Sequence, residues 1–307
     1  MKNHPIGEHE GEDLRKQVRK VLRGLGEPEP PLDLRDVREL LRLDLRYYSS
    51  EDDSYLREMV SRIKVGGKQL LLRPAMLLDV VKKAKLSALW VPDHQRILID
   101  ADAPKLKHRW FEGHEIGHGL APWHRRYLFG DDAETLRLTC YEQLEGEANY
   151  AAGQLLFLQG RFSEEANDLP TTLESVRQLH KTFGNTMTST LWRFVEDAHP
   201  DLPMVGIVSR HPHRAGKDFD PDNPCKYCIE SPVFRTRFSG TDEVKLFSII
   251  KDYASRARGG PLGSAEVLLT DGNGDRHAFH FESFFNRYEA LTLGVYLRPA
   301  DPIVSVL

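Results

Sequence analysis

Apolar residues recur along the chain at two different periods, and the change between them divides it. Leu14, Val18, Leu22 and Leu25 fall at helical spacing, and Gly24 and Gly26 close the helix they predict. Residues 1–11 ahead of it read as a disordered tail, and EPEPP after it as a stiff linker. LDLRDVRELLRLDLRYY predicts a short helix running into a strand, and 54–86 reads as mostly helical. ALWV and RILID read as two strands of a hairpin joined by PDHQ, with the turn formers Pro92 and Asp93. From Lys105 to about Leu120 the helical period returns, bounded by Pro104 and Pro122. A second long helix is expected from roughly Asp132 to Gln159, with a break near Gly146. TTLESVRQLHKTF, GN and TMTSTLWRFVEDAH then predict helix, turn, helix. Beyond about Pro203 the runs become short and strand-like: MVGIVS, VFRTRF, EVLLT, HAFHF and TLGVYL, with DGNGD as a turn between two of them.

Composition narrows the class. The chain has 307 residues, 40% hydrophobic and 29% charged, enough for a catalytic domain and an appended module. A net charge of -4 gives no overall basic footprint for nucleic acid. No apolar run reaches membrane-spanning length and the N-terminus lacks an apolar signal core, so a cytoplasmic protein is expected. Three cysteines are no disulfide framework.

The chemistry concentrates in HEIGH, residues 114–118. On a helix, residues four apart share a face, so His114 and His118 can both point at one ion. Glu115 then lies beside the open coordination position, where it can take a proton from a water that zinc has acidified. A catalytic zinc also needs a third protein ligand. CYEQLEGEANYAAGQLL on the next helix offers Glu142, Glu145 and Glu147. Glu145 and Glu147 lie about 200 degrees apart around a regular helix, so they cannot both serve. The hairpin ahead of HEIGH could bind an extended peptide along its edge.

RILIDADAPKLKHRWFEGHEIGHGL followed by EGEANYAAGQLL resembles the ImmA/IrrE-like metallopeptidases, which pair H-E-x-x-H with E-x-x-A-N and an Ala- and Leu-rich helix. The resemblance is weaker upstream and downstream, over about residues 15–210. It implies an α+β fold: a mostly helical, gluzincin-like metallopeptidase domain with a small sheet, here followed by a C-terminal α+β module. It implies His114, His118 and Glu145 as ligands of Zn2+ (Mn2+ being the alternative), with Glu115 as general base. Asn149 matches the family's Asn, and Glu147 remains the fallback ligand. It further implies a helix-turn-helix repressor as protein substrate, cut as a regulatory switch in stress, DNA damage or mobile-element transfer. FEGHEIGH and AGQLLFLQG depart from the family's usual approach and ending, which touches the substrate groove more than the metal site.

The implied organisation is 1–30 tail, helix and linker; 31–203 metallopeptidase domain, with a helix-turn-helix-like segment at about 170–198; and 204–307 as a sensor or docking module. Other constellations carry lesser expectations. His211, His213, Cys225 and Cys228 make a tetrahedral set on paper, against a plain pair of buried or surface thiols. The helix-turn-helix-like segment could read DNA, but its second helix offers mainly Arg193, and a packed hairpin is the simpler expectation. Tyr127, Tyr141, Tyr150 and His124 are near enough in sequence to be oxyanion donors. The reading of a different class is a non-proteolytic regulator that binds DNA or a repressor around a structural metal.

Overall fold

The computed structural model describes residues 6–48, 88–91, 95–124, 138–214, 216 and 219–300. The helical expectation for 54–86 lies outside them. The fold is α+β. Contacts divide the chain into two compact units, one of Pro5–Gln159 with Phe183–Asn185, the other mainly of Gly160–Thr182 and Thr186–Leu307. Packing therefore divides at Gly160, whereas the pattern of apolar positions changes near 203.

The first unit opens with helix α1, Glu8–Gly24. It starts a turn earlier than the apolar spacing indicates, because Glu8 and Glu10 in the first turn complement the free N–H groups there. Leu14, Val18 and Leu22 are buried. Helix α2, Leu34–Leu41, is N-capped by Asp33, which accepts from the Arg35 N–H. Strand β1, Asp44–Tyr48, pairs in parallel with β3, Arg96–Asp100, and β3 pairs antiparallel with β2, Ala88–Val91. The hairpin expected from ALWV and RILID is thus present. In the order β1-β3-β2, β2 is an edge strand among the described residues. Ile97, Leu98 and Ile99 of the central strand are fully buried.

Helices α3, Lys105–Leu120, and α4, Leu138–Leu156, form the centre of this unit. Helix α4 runs through Gly146 without the expected break. Gly117 is what lets the two helices meet. A Cβ there would lie 2.5 Å from the carbonyl oxygen of Ala148, a backbone atom that cannot turn aside. A Cβ on Gly113, one turn earlier, would meet the Leu156 side chain at 2.8 Å. Gly117 is therefore a packing residue between helices, not a means of thinning α3 beside a substrate. On α4, Ala148, Ala151, Ala152, Leu155 and Leu156 are all fully buried. Small residues face small residues, so helix axes approach closely and the side chains beside them converge.

Further contacts hold α3 in place. Glu112 accepts from Arg38 Nε at 2.6 Å in a largely buried ion pair, linking α3 to α2. Arg109 donates to Asn185 Oδ1 at 3.1 Å and to the carbonyls of Leu32 and Phe183. Asn185 in turn donates to the Leu156 carbonyl at 3.0 Å. On α1, Arg15 donates to the Tyr150 hydroxyl at 2.7 Å.

The second unit contains helices α5, Gly160–Asn167, α6, Leu173–Phe183 as far as Thr182, and α7, Met187–Arg193, which runs into a π turn, Phe194–Ala198. A five-stranded antiparallel sheet follows: β4 (Met204–Ser209), β5 (Cys225–Glu230), β6 (Gly260–Thr270), β7 (Arg276–Phe285) and β8 (Ala290–Pro299). Its order is β5-β4-β8-β7-β6. DGNGD makes the β6–β7 turn, with Gly274 at φ 89 and the Asp271 N–H bonded to the Asp275 carbonyl. Helices α8, Pro232–Arg237, and α9, Glu243–Tyr253, lie between β5 and β6 in sequence. VFRTRF was expected as a strand and is mostly helix. Ser231 caps it by accepting from the Phe234 N–H, and Pro232 occupies the first turn, where its missing N–H costs nothing. Among the described residues no helix is long and apolar enough to cross a membrane.

The Gly117 contact predicts a measurable effect. Gly117→Ala should lower stability by ~1–3 kcal/mol through overpacking against a rigid carbonyl, read as a lower urea midpoint. An unchanged midpoint would mean the helices separate without cost.

Candidate metal centre

The close approach of α3 and α4 gathers three donors. His114 and His118 lie one turn apart on α3, their rings edge to face with centroids 4.8 Å apart. Glu145 reaches between them from α4. Its Oε2 is 3.2 Å from His114 Nε2 and its Oε1 is 3.4 Å from His118 Nε2. The three residues present ligand atoms within 4.8 Å of one another, the one such group among the described residues. Zinc donors sit about 2.0–2.1 Å from the ion, so neighbouring donors of a tetrahedral site lie about 3.3 Å apart. Each imidazole lies at about that distance from one oxygen of the carboxylate, and two imidazoles with one carboxylate are a donor set zinc accepts. The residues fit a divalent cation.

The electrostatics agree. Burial opposes ionisation of Glu145, yet its hydrogen bonds to His114 and His118 and their charge hold its carboxyl far below the usual range. Burial opposes protonation of His114 too, but the bond to Glu145, the charges of Glu115 and Glu145, and the bond to Asn149 raise it above the ordinary imidazole value. His118 goes the other way: burial first, then the charges of His114 and His124, bring it below that value. Glu115, next to the first donor on α3, is 5% exposed. A carboxylate so buried has a chemical use or a structural partner, not a solvated one.

The alternatives for the third donor separate cleanly in space. Glu147 is 2% exposed and points away from His114. Its Oε2 accepts from Trp123 Nε1 at 2.5 Å and lies 3.0 Å from His124 Nε2, while Oε1 accepts from Gln143 at 2.9 Å. Those bonds outweigh burial and depress its carboxyl. The Glu142 side chain is outside the described residues. Asn149 Oδ1 lies 3.0 Å from His114 Nδ1, behind the ligand atom.

Of the oxyanion candidates within the described residues, neither Tyr150 nor His124 is turned to the donor group. Tyr150 is taken up by Arg15, and it packs with Leu14, Ala121 and Ala151. His124 is fully buried behind His118. Tyr127 and the Tyr141 side chain lie outside the described residues. Reading by sequence alone missed that His124 and Glu147 belong together. The signal was the second histidine six residues after His118, beside an indole whose N–H needs an acceptor.

The second paper site does not assemble. His211 Nε2 bonds the Ala257 carbonyl and His213 Nε2 the Ala254 carbonyl, each at 2.8 Å. Cys225 and Cys228 belong to strand β5 rather than to a tight turn, and both are buried in the apolar core of the second unit. Burial first, and then the charge of Glu243, push the Cys225 thiol up to about 12. Arg193, the main basic residue of that second helix, is buried and paired with Asp197, in keeping with the packed hairpin. Trp192 donates to Glu196 and meets the Tyr227 ring edge-on, and Phe194 is fully buried. Helix α7 is a packed element of its unit, not an exposed reading head.

Residues 75–194 match the family model of peptidase M78, described as the IrrE N-terminal-like domain. This bears out the resemblance carried by HEIGH and EGEAN. No curated protein matches the chain. Among solved structures, a Mycobacterium tuberculosis transcriptional regulator is similar with a TM-score of 0.52 and 11% identity, covering 93% of this chain and 88% of that one. Likeness at that identity concerns the fold alone.

The thiol geometry yields a direct expectation. In the native protein at pH 8, iodoacetamide should leave Cys225 and Cys228 unmodified, and both should react once urea unfolds the chain, as read by peptide mass spectrometry. Rapid native labelling of either would contradict their burial.

Proposed function

We propose that this chain, whose segment 75–194 belongs to the peptidase M78 family, is a metal-dependent endopeptidase with His114, His118 and Glu145 as ligands and Glu115 as general base. The observation that carries it is the convergence of these three residues, whose ligand atoms lie within 4.8 Å of one another. A divalent ion held there, zinc by preference, would polarise a peptide carbonyl and make water a better nucleophile near neutral pH.

The rest is supplied by the chain. Glu115 follows the first ligand on α3, so its carboxylate stands beside the donor group without joining it. There it accepts the proton of the attacking water and delivers it to the leaving nitrogen. Asn149 accepts from His114 Nδ1–H and so keeps Nε2 free for the ion. Strand β2, an edge strand among the described residues, is where an extended peptide would add by strand pairing. The substrate class that the family resemblance implies is a helix-turn-helix repressor, cleaved as a regulatory switch.

Elemental analysis of the purified protein, prepared without chelators, should find one equivalent of zinc or manganese. His118→Ala and Glu145→Ala should each abolish it. Glu115→Gln should keep the metal and lose cleavage of a peptide library by about 10²–10⁴-fold. Metal retained in Glu145→Ala would overturn the ligand assignment. Unimpaired cleavage by Glu115→Gln would remove the mechanism, and no cleavage by any form would favour a regulator with a structural ion.

A further inference from the structure

We infer that His124 and Glu147 are positioning residues for the metal ligand His118: a carboxylate–imidazole–imidazole chain that fixes which nitrogen of His118 is free to bind. The inference rests on the metal-site reading above and deepens it.

The chain is read from three distances. His118 Nε2 faces Glu145 among the ligand atoms. Its other nitrogen, Nδ1, lies 2.9 Å from His124 Nδ1. His124 Nε2 lies 3.0 Å from Glu147 Oε2. His124 is 0% exposed and Glu147 2%, so water has little access to substitute for either contact.

Two ring nitrogens at 2.9 Å must share a single proton, and the neighbours decide which ring owns it. Glu147 Oε2 already accepts from Trp123 Nε1–H, which can only donate. The same oxygen faces His124 Nε2, so that nitrogen must bring a proton. A His124 that carries only this one proton has a bare Nδ1, which accepts. With an ion held at the site, the shared proton therefore belongs to His118 Nδ1, and His118 Nε2 presents its lone pair to that ion. In the opposite arrangement His118 would hold its proton on Nε2, between itself and Glu145, where an ion must bind. The buried carboxylate thus reaches the metal ligand through an intervening ring. It also makes His118 a stronger donor, as outer carboxylates do for ligating histidines. His114 is served differently, by the neutral amide oxygen of Asn149 at 3.0 Å.

A purely structural role for His124 is the competing account, since it follows the bend after α3 and its N–H bonds the Ala121 carbonyl. Two variants separate the two. His124→Phe keeps a ring of similar size without nitrogens. His124→Gln keeps an acceptor for His118 and a donor for Glu147. Zinc affinity, measured by competition with a chromophoric chelator in the full-length protein, should fall 10–100-fold in His124→Phe. It should recover most of that loss in His124→Gln, with thermal midpoints of both variants compared alongside. In the wild-type zinc form, histidine ¹⁵N spectra should show His124 as the neutral Nε2–H tautomer.

Equal zinc affinity in wild type and a folded His124→Phe overturns this inference and leaves the metal site standing. If His124→Phe does not fold, the tautomer decides: a His124 bare at Nε2 overturns the inference. Absence of zinc from the wild-type protein defeats the metal reading itself, and this inference with it.

Discussion

Everything about the candidate centre depends on one contact, that of Gly117 against the backbone of Ala148. Donor atoms on separate helices can converge to about 3.3 Å only if the helix axes are held near the lower limit of packing distance. A side chain at Gly117 would collide with a carbonyl, and Ala148 itself carries only a methyl. Side chains then need only their ordinary reach: one turn of α3 supplies two imidazoles, and a glutamate three residues before Ala148 supplies the carboxylate. The catalytic chemistry proposed here is thus a property of a helix pair before it is a property of any single residue.

Electrostatics builds on that geometry by sorting two glutamates with similar chemistry. Glu145 and Glu147 lie on one helix, yet one stands between two imidazoles and the other behind them. Both are held ionised by hydrogen bonds that outweigh burial. Negative charge on both sides of His118, one side direct and the other relayed through His124, creates a place where a cation lowers the energy of groups otherwise buried at a cost. That arrangement explains why so polar a cluster sits among alanines and leucines.

Much of this was legible in the sequence. The bounds of α3 follow from Pro104 and Pro122, the hairpin from two short apolar runs about a turn, and the spacing of HEIGH from helical period. The relation between EGEAN and HEIGH needed the family resemblance, because no local rule sets the distance between two helices. Other features were hidden for identifiable reasons. VFRTRF has a strand's composition, and only the Ser-Pro before it marks a helix start. Cys225 and Cys228 have a metal-binding spacing, but CKYCIE pairs with β4 as a strand, and that pairing decides the matter. His124 offered no periodic signal; its role is set by a neighbour 23 positions later in the chain. Local pattern finds elements and their ends, whereas partners across elements emerge only once packing is known.

The anchoring of Arg109 bears on how the molecule comes to be made. Its guanidinium bonds Leu32 on one side and Phe183 and Asn185 on the other, and Asn185 closes on Leu156. The unit bearing the metal-binding helices is therefore not continuous in sequence: it is completed by three residues that arrive after an excursion of the chain through 160–182. On the ribosome, α3 and α4 emerge well before the segment that satisfies Arg109. Until residue 185 has been synthesised, a half-buried cation lacks two of its acceptors and the end of α4 lacks the amide that covers its carbonyl. Nascent chains halted near residue 160 would carry both metal motifs yet remain unfinished, so maturation of the centre is timed by translation of a turn that contributes nothing to its chemistry.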